Sequence, residues 1–357
     1  MTSLDEAIGH AERALDISIG TSTDSATHFE QLSGLLNDRY IITGRLSDLD
    51  KSIYAARQAV DRGIAEYSVS AKSLNVLSYR LQDRFLVMEE DQDLEDAFRY
   101  AQEAVKLANN GSPEEPKYLN SLAAVFKLRH STVGDMRDLQ KVINLARKAV
   151  SVTAADDCEL GKWLNNLGNH LHEMHLITGS MEELEEAICL CRQANVVASD
   201  DKIKARFLNN LAVKLDTRAE ATGDPRDYEE AIQLAEQVLE LTPDGHFDRA
   251  KWLNNLASHL FEKFDRSWDL ADVLRAIDAA SQAADLTPDG TVRALYLAKL
   301  ADAFNHKYEQ MGLLKDLEEV ISMAEDALDL LPKQHSQKAQ ITSTLADLLC
   351  NRSSGRK

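Results

Sequence analysis

Proline and glycine are scarce in this chain, 6 and 15 among 357 residues, and the Ala, Leu, Glu, Asp, Lys and Arg that dominate instead favour helix over strand. Positive charge is in deficit. The formal net charge of -19 leaves no general basic footprint for a nucleic-acid backbone, so nucleic acid is not an expected partner. No run of 18 apolar residues occurs, and MTSLDEAIGH places Asp5 and Glu6 where a signal peptide carries cations, so neither a membrane span nor a secretory leader is expected. Four cysteines, Cys158, Cys189, Cys191 and Cys350, lack framework spacing and suit a reducing compartment, with the cytoplasm as the expected location. Glycine-rich phosphate loops, a GxSxG elbow and a QAC-type cysteine motif are all missing. The reading is therefore a non-enzyme without cofactor.

What the chain does contain is a repeat. The string WLNNL at Trp163–Leu167 returns in near copies whose first large apolar residues are Phe29, Leu74, Leu119, Leu164, Leu208, Leu253 and Leu297, at intervals of 44 or 45 residues. Self-similarity of that period marks an array of supersecondary units. Full repeats begin near 27, 72, 117, 162, 206, 251 and 295, preceded by a half repeat at 4–18 and followed by a terminal helix at 338–350 and a polar tail, 351–357, expected to be disordered. Residues 4–350 thus read as a single solenoid domain. The opening in mid-repeat suggests a fragment or a rearranged protein.

Each repeat reads as two helices. Leu164, Leu167, Gly168 and Leu171 fall at i, i+3, i+4 and i+7, one face of a first helix. A glycine then ends it in five repeats, Gly44, Gly134, Gly179, Gly223 and Gly312, whereas Glu89 and Trp268 predict different turns. The second helix is expected to start at Asp48, Asp93, Asp138, Glu183, Asp227, Asp272 or Asp316, residues that cap or charge a helix N-terminus favourably. Its buried face is small, as in Ala97, Ala101 and Ala104, or Ala187, Cys191 and Ala194, and Pro243, Pro288 and Pro332 stop it in the last three repeats.

Through Leu208, Leu211, Ala212, Leu215, Ala231, Ala235 and Pro243 the chain resembles the tetratricopeptide repeat, with units some ten residues longer than the ordinary ones. The resemblance implies an all-α, right-handed superhelical solenoid of antiparallel helix pairs. The LNNLG, TGD and LTPD strings look like the long-unit arrays of filamentous-fungal proteins that accompany a CHAT peptidase or NTPase domain, and kinesin-light-chain-like arrays use a similar NLG helix. Neither catalytic domain's motif is present, so the resemblance carries over no catalytic residue.

In a solenoid one repeated position draws a line along the surface. Asn75, Asn120, Asn165, Asn209 and Asn254 form one such column, with Asn169 on the same stripe, and Lys72, Lys117, Lys162, Arg206 and Lys251 form another three residues earlier. By the resemblance this stripe lines a concave groove. The asparagines either hydrogen-bond a bound segment's backbone or bond the neighbouring repeat and set the stacking, and the cations either attract carboxylates of a partner or sit as a solvated helix start. Asn166, Asn210 and Asn255, found in three repeats, read as stacking residues. A second cationic column, Arg39, Arg84, Arg129, Arg218, Lys263 and Lys307, lies about 150° away on the wheel, where buried stems with salt-bridged heads are expected. His172 and His175 share a face but fall short of the three or four converging ligands that zinc needs, so no metal is expected. The function this leads to is an interaction scaffold whose groove binds a protein or peptide, extended and acidic. The alternative is the sensor or regulatory array of a CHAT-type peptidase or NTPase system whose catalytic domain is not on this chain, being carried by another chain or lost.

Overall fold

The computed structural model describes residues 2–18, 25–65, 69–108, 112–288, 290–311, 314–332 and 334–354. Among them are sixteen α-helices and no strand. After α1 (Thr2–Ser18) the helices come in pairs: α2 (Ser25–Thr43) and α3 (Leu46–Ala65), α4 (Ala71–Met88) and α5 (Asp91–Ala108), α6 (Glu115–Val133) and α7 (Met136–Val152). The series continues with α8 (Leu160–Thr178) and α9 (Met181–Val196), α10 (Asp201–Thr222) and α11 (Pro225–Glu240), α12 (Arg249–Ser267) and α13 (Leu270–Asp285), α14 (Thr291–Met311) and α15 (Leu314–Leu330), and ends on α16 (Gln337–Ser354). The helix of the polar end thus runs past residue 350, where Arg352 reaches Glu318 at 3.5 Å. Residues 355–357 lie outside the described residues.

The chain divides into two compact units, residues 1–174 and 175–357, with the division inside α8. In the first, the fully buried face of α5, Ala97, Ala101 and Ala104, packs with Leu74, Leu77 and Leu81 of α4 and with Leu49 and Ile53 of α3. Small residues on the second helices let large ones on the first helices fill the space between, which is why the sequence alternates them. The second unit repeats the scheme with Ala276, Ala280 and Ala283 against Leu253, Leu256, Leu260 and Leu300.

Two features of the helix joints depart from the sequence reading. Gly44, Gly134, Gly179 and Gly223 take the left-handed conformation, at φ 68° to 75°, but Glu89 and Trp268 take it too, both at φ 55°. Their N–H groups close on Phe85 O and Phe264 O at 2.8 Å, so these turns match the glycine turns instead of differing. Gly312 lies outside the described residues. The second helices also begin earlier than expected. In α7, α11 and α13 the caps are Asp135, Asp224 and Asp269, whose side chains accept from the N–H of Arg137, Arg226 and Ala271, while Asp138, Asp227 and Asp272 stand a turn inside.

Those inner aspartates have a different task. Arg39, Arg84, Arg129 and Arg218 of the first helices donate two hydrogen bonds each to Asp48, Asp93, Asp138 and Asp227, at 2.5 to 2.9 Å. Lys263 meets Asp272 at 3.2 Å. Three of the arginines reach a second carboxylate one helix back, Arg39 to Asp5, Arg84 to Asp50 and Arg218 to Glu185, at 2.8 to 3.3 Å. Arg39, Arg84, Arg129, Arg218 and Lys263 of the second cationic column thus have the paired heads expected of it, and Arg39, Arg84 and Arg218 also tie their hairpins to the preceding helix.

Candidate functional site

The predicted site residues fall on the first helices, and the structure separates them into groups with different partners. Lys72, Lys117 and Lys162 are exposed but sit on carboxylates of their own chain: Glu30 at 2.9 Å, Glu114 at 3.3 Å and Glu159 at 3.0 Å. Arg206 and Lys251 are exposed with no ion pair among the described residues. Asn165 is buried and Asn169 half-buried.

The remaining asparagines fall into a ladder. Asn166 Nδ2 donates to Asn120 Oδ1 at 2.9 Å and Asn255 Nδ2 donates to Asn209 Oδ1 at 2.8 Å. In each case the acceptor follows the repeated leucine by one residue and the donor follows the next repeat's leucine by two. Inter-repeat stacking thus occupies Asn120 and Asn209, and assigns Asn166 and Asn255 as their donors. Where the donor position holds something else, the ladder breaks. Asn75 should face Ser121, whose hydroxyl is too short, and both Asn75 Oδ1 and Ser121 Oγ are buried with no partner among the described residues. Asn254 should face Lys299, but Lys299 Nζ turns to Ser258 Oγ at 2.6 Å, and Asn254 Oδ1 is left buried without a partner among the described residues.

At that second break the surface opens. A cavity of about 310 Å³ lies among α12, α14 and α16, with Asn254, Tyr296, Lys299, Asp302, Gln340 and Thr344 in its lining and an apolar floor that includes Ile341. A second, of about 230 Å³, shares Lys299 and Asp302 and adds Ser258, Phe261 and Glu262. Burial lowers the Lys299 ammonium while Glu262, Asp216 and Asp302 pull it back up. Burial also raises the Glu262 carboxyl, with Glu220 and Asp216 adding to the effect. Nearby, the buried His259 ring holds Nδ1 3.1 Å from Asp216 Oδ2. This is a mixed-charge, partly desolvated face.

Sequence reasoning missed the cavity because it sits where the asparagine column ends, at Ala298 and Lys299. It also missed a set of cationic clamps. Arg249 donates to Leu239 O and Thr242 O, Arg293 to Ala284 O and Thr287 O, and Lys338 to Leu328 O and Leu331 O, at 2.7 to 3.1 Å. Each satisfies carbonyls at the end of a second helix. The signal was available in the LTP strings, whose threonines Thr242 and Thr287 are followed seven and six residues later by Arg249 and Arg293. His175, weighed for metal, has its Nδ1 2.7 Å from Ser180 O, and His130 stands likewise at 2.9 Å from Asp135 O, so both rings staple a helix joint. No helix among the described residues is long and apolar enough to cross a membrane.

The chain matches no protein-family model and is similar in sequence to no curated protein. Its fold is similar to solved structures. The human IFIT1 dimer with PPP-AAAA is 14% identical at a TM-score of 0.59, over 97% of this chain and 68% of that one. The APC/C hetero-tetramer Cut9–Hcn1 is 14% identical at 0.53, over 95% of this chain, which spans 59% of the length of its counterpart. A Podosopora anserina putative kinesin light chain with nearly identical TPR-like repeats is 16% identical at 0.43, over 59% of this chain and 95% of that one. The chain has a tetratricopeptide-like helical-repeat fold.

Proposed function

We propose that the protein is a non-catalytic scaffold that binds a segment of a partner protein on the shared face of its first helices, with the contact centred on α12, α14 and α16. The observation that supports this reading is the pair of adjoining cavities there, which combine an apolar floor with several polar side chains, the make-up of a recognition pocket. Filling the larger one tests it. Ala298→Phe should keep its helicity by circular dichroism yet lose partners that the wild type retains from a cell extract; identical retention by both would defeat the reading.

An extended segment carrying acidic residues is the finer reading. Lys72, Lys117 and Lys162 are held by acids of the same chain, so a partner's carboxylates would meet Arg206 and Lys251. Retention should then weaken as salt rises, and the pair Arg206→Glu and Lys251→Glu should reduce it further. Indifference to both salt and charge reversal would rule acidic recognition out. A cytoplasmic setting is in keeping with the exposed thiols of Cys158 and Cys189.

A further inference from the structure

The ladder of side-chain amides breaks at Asn254, and the break coincides with the larger cavity. Asn209 receives its hydrogen bond from Asn255 of the next repeat, but the residue in the corresponding place for Asn254 is Lys299, which is drawn away to Ser258. Asn254 lines the cavity, is only 8% exposed, and its Oδ1 has no donor among the described residues. A buried acceptor left in that state favours any ligand that brings an N–H to it.

We propose that this cavity takes a carboxamide side chain, Asn or Gln, from an extended segment of the partner protein, so that the partner supplies the amide that the repeat series lacks at Lys299. The inference rests on the reading of this face as the partner-binding one. Other side-chain classes fit worse. A carboxylate would satisfy Lys299 but set acceptor against acceptor at Asn254 and Asp302. An ammonium or guanidinium would please those two and be repelled by Lys299 in the same wall. An apolar side chain would leave Asn254 Oδ1 unsatisfied. A carboxamide donates to Asn254, accepts from Lys299 and brings no net charge. Around it, Gln337, Gln340 and Thr344, at i, i+3 and i+7 on α16, line the cavity with groups that can bond an extended main chain.

The full chain, immobilised, can be offered four peptide pools with the same degenerate flanks and a central Gln, Glu, Lys or Met. These side chains are similar in length and differ in chemistry. The Gln pool should be retained about tenfold better than the Met pool, the discrimination a single buried hydrogen bond gives. Lys299→Asn should restore the ladder, bond Asn254 as Asn255 bonds Asn209, raise the melting temperature and bring Gln retention down to the Met level. Equal retention of Gln and Met by the wild type overturns the amide assignment and leaves the face as a partner site. The same follows if the Glu or Lys pool is retained best, or if the folded Lys299→Asn variant keeps full preference for Gln. Retention of no pool above the bare matrix overturns the partner-face reading together with the inference.

Discussion

Glu89 and Trp268 hold a backbone conformation that ordinarily falls to glycine, as it does at four other joints among the described residues. For a residue with a Cβ it costs roughly 1–2 kcal/mol. Glu89→Gly and Trp268→Gly should each raise stability by up to about 1 kcal/mol, less than the full strain because glycine also frees the unfolded chain. Denaturant titration at constant slope would show it, and a loss at Trp268 would mean that its ring contact with Phe264, 5.8 Å between centroids, outweighs the strain. Lys214 presents a different conflict: it is 2% exposed, its ammonium donates to Asn210 O, and burial holds its pKa below the usual lysine value. The unfolded chain keeps that proton to higher pH than the folded one, so raising the pH stabilises the wild type. Lys214→Met should therefore be neutral or stabilising, with its advantage greatest below the depressed value and shrinking as pH climbs toward about 10.4. An advantage that grew with pH would contradict this assignment.

At the scale of the helix pair, the arginine that grips an inner aspartate is the main polar link. Arg218 is 20% exposed and its partner Asp227 is 8% exposed, so Arg218→Met should cost about 2–3 kcal/mol, toward the low end for a buried pair because solvent screens part of the charge. A melting experiment showing no change would place the stability of the hairpin in its apolar contacts alone. The aspartates also set an acid limit. Hydrogen bonds from Arg39 and Arg129 hold Asp48 and Asp138 below the ordinary carboxylate value, and the caps Asp135 and Asp224, gripped by Arg137 and Arg226, are lowered to about 2. A depressed folded pKa means the unfolded chain takes up protons first, so the stability these groups contribute is present above about pH 4 and drains as pH falls toward about 2. Melting temperatures followed from pH 5 to pH 2 should show this decline. The cationic column was legible in the sequence as paired stems, since long side chains off the inner stripe need an anchor. The aspartates were misplaced because the cap and the inner position carry the same residue type a turn apart, and only the three-dimensional joint tells which one faces an arginine nine residues back.

For the molecule as a whole, the period gave the helices and their pairing, because the spacing of leucines, alanines and glycines reports directly on which face is buried. It could not give the seams between repeats. Whether Asn120 points at a partner or at Asn166 depends on the stacking register, which no single repeat encodes. Nearest-neighbour packing should keep damage local: Gly223→Val puts a β-branched residue at φ 74°, and hydrogen exchange should quicken in α10 and α11 while α2 to α5 stay protected. Loss of protection along the entire chain would mean that the units fold as one cooperative body. The amide ladder also acts as a splice rule for the length of the array. Since donor and acceptor stand one unit apart, excising residues 117–161 would bring Asn166 into the place of Ser121 and give Asn75 the donor it now lacks. The shortened protein should stay folded, with a tighter seam there than the parent has, whereas a cut of half a unit should leave it insoluble. A lineage of such chains can then lengthen or shorten by recombination in whole units without repairing the junction afterward.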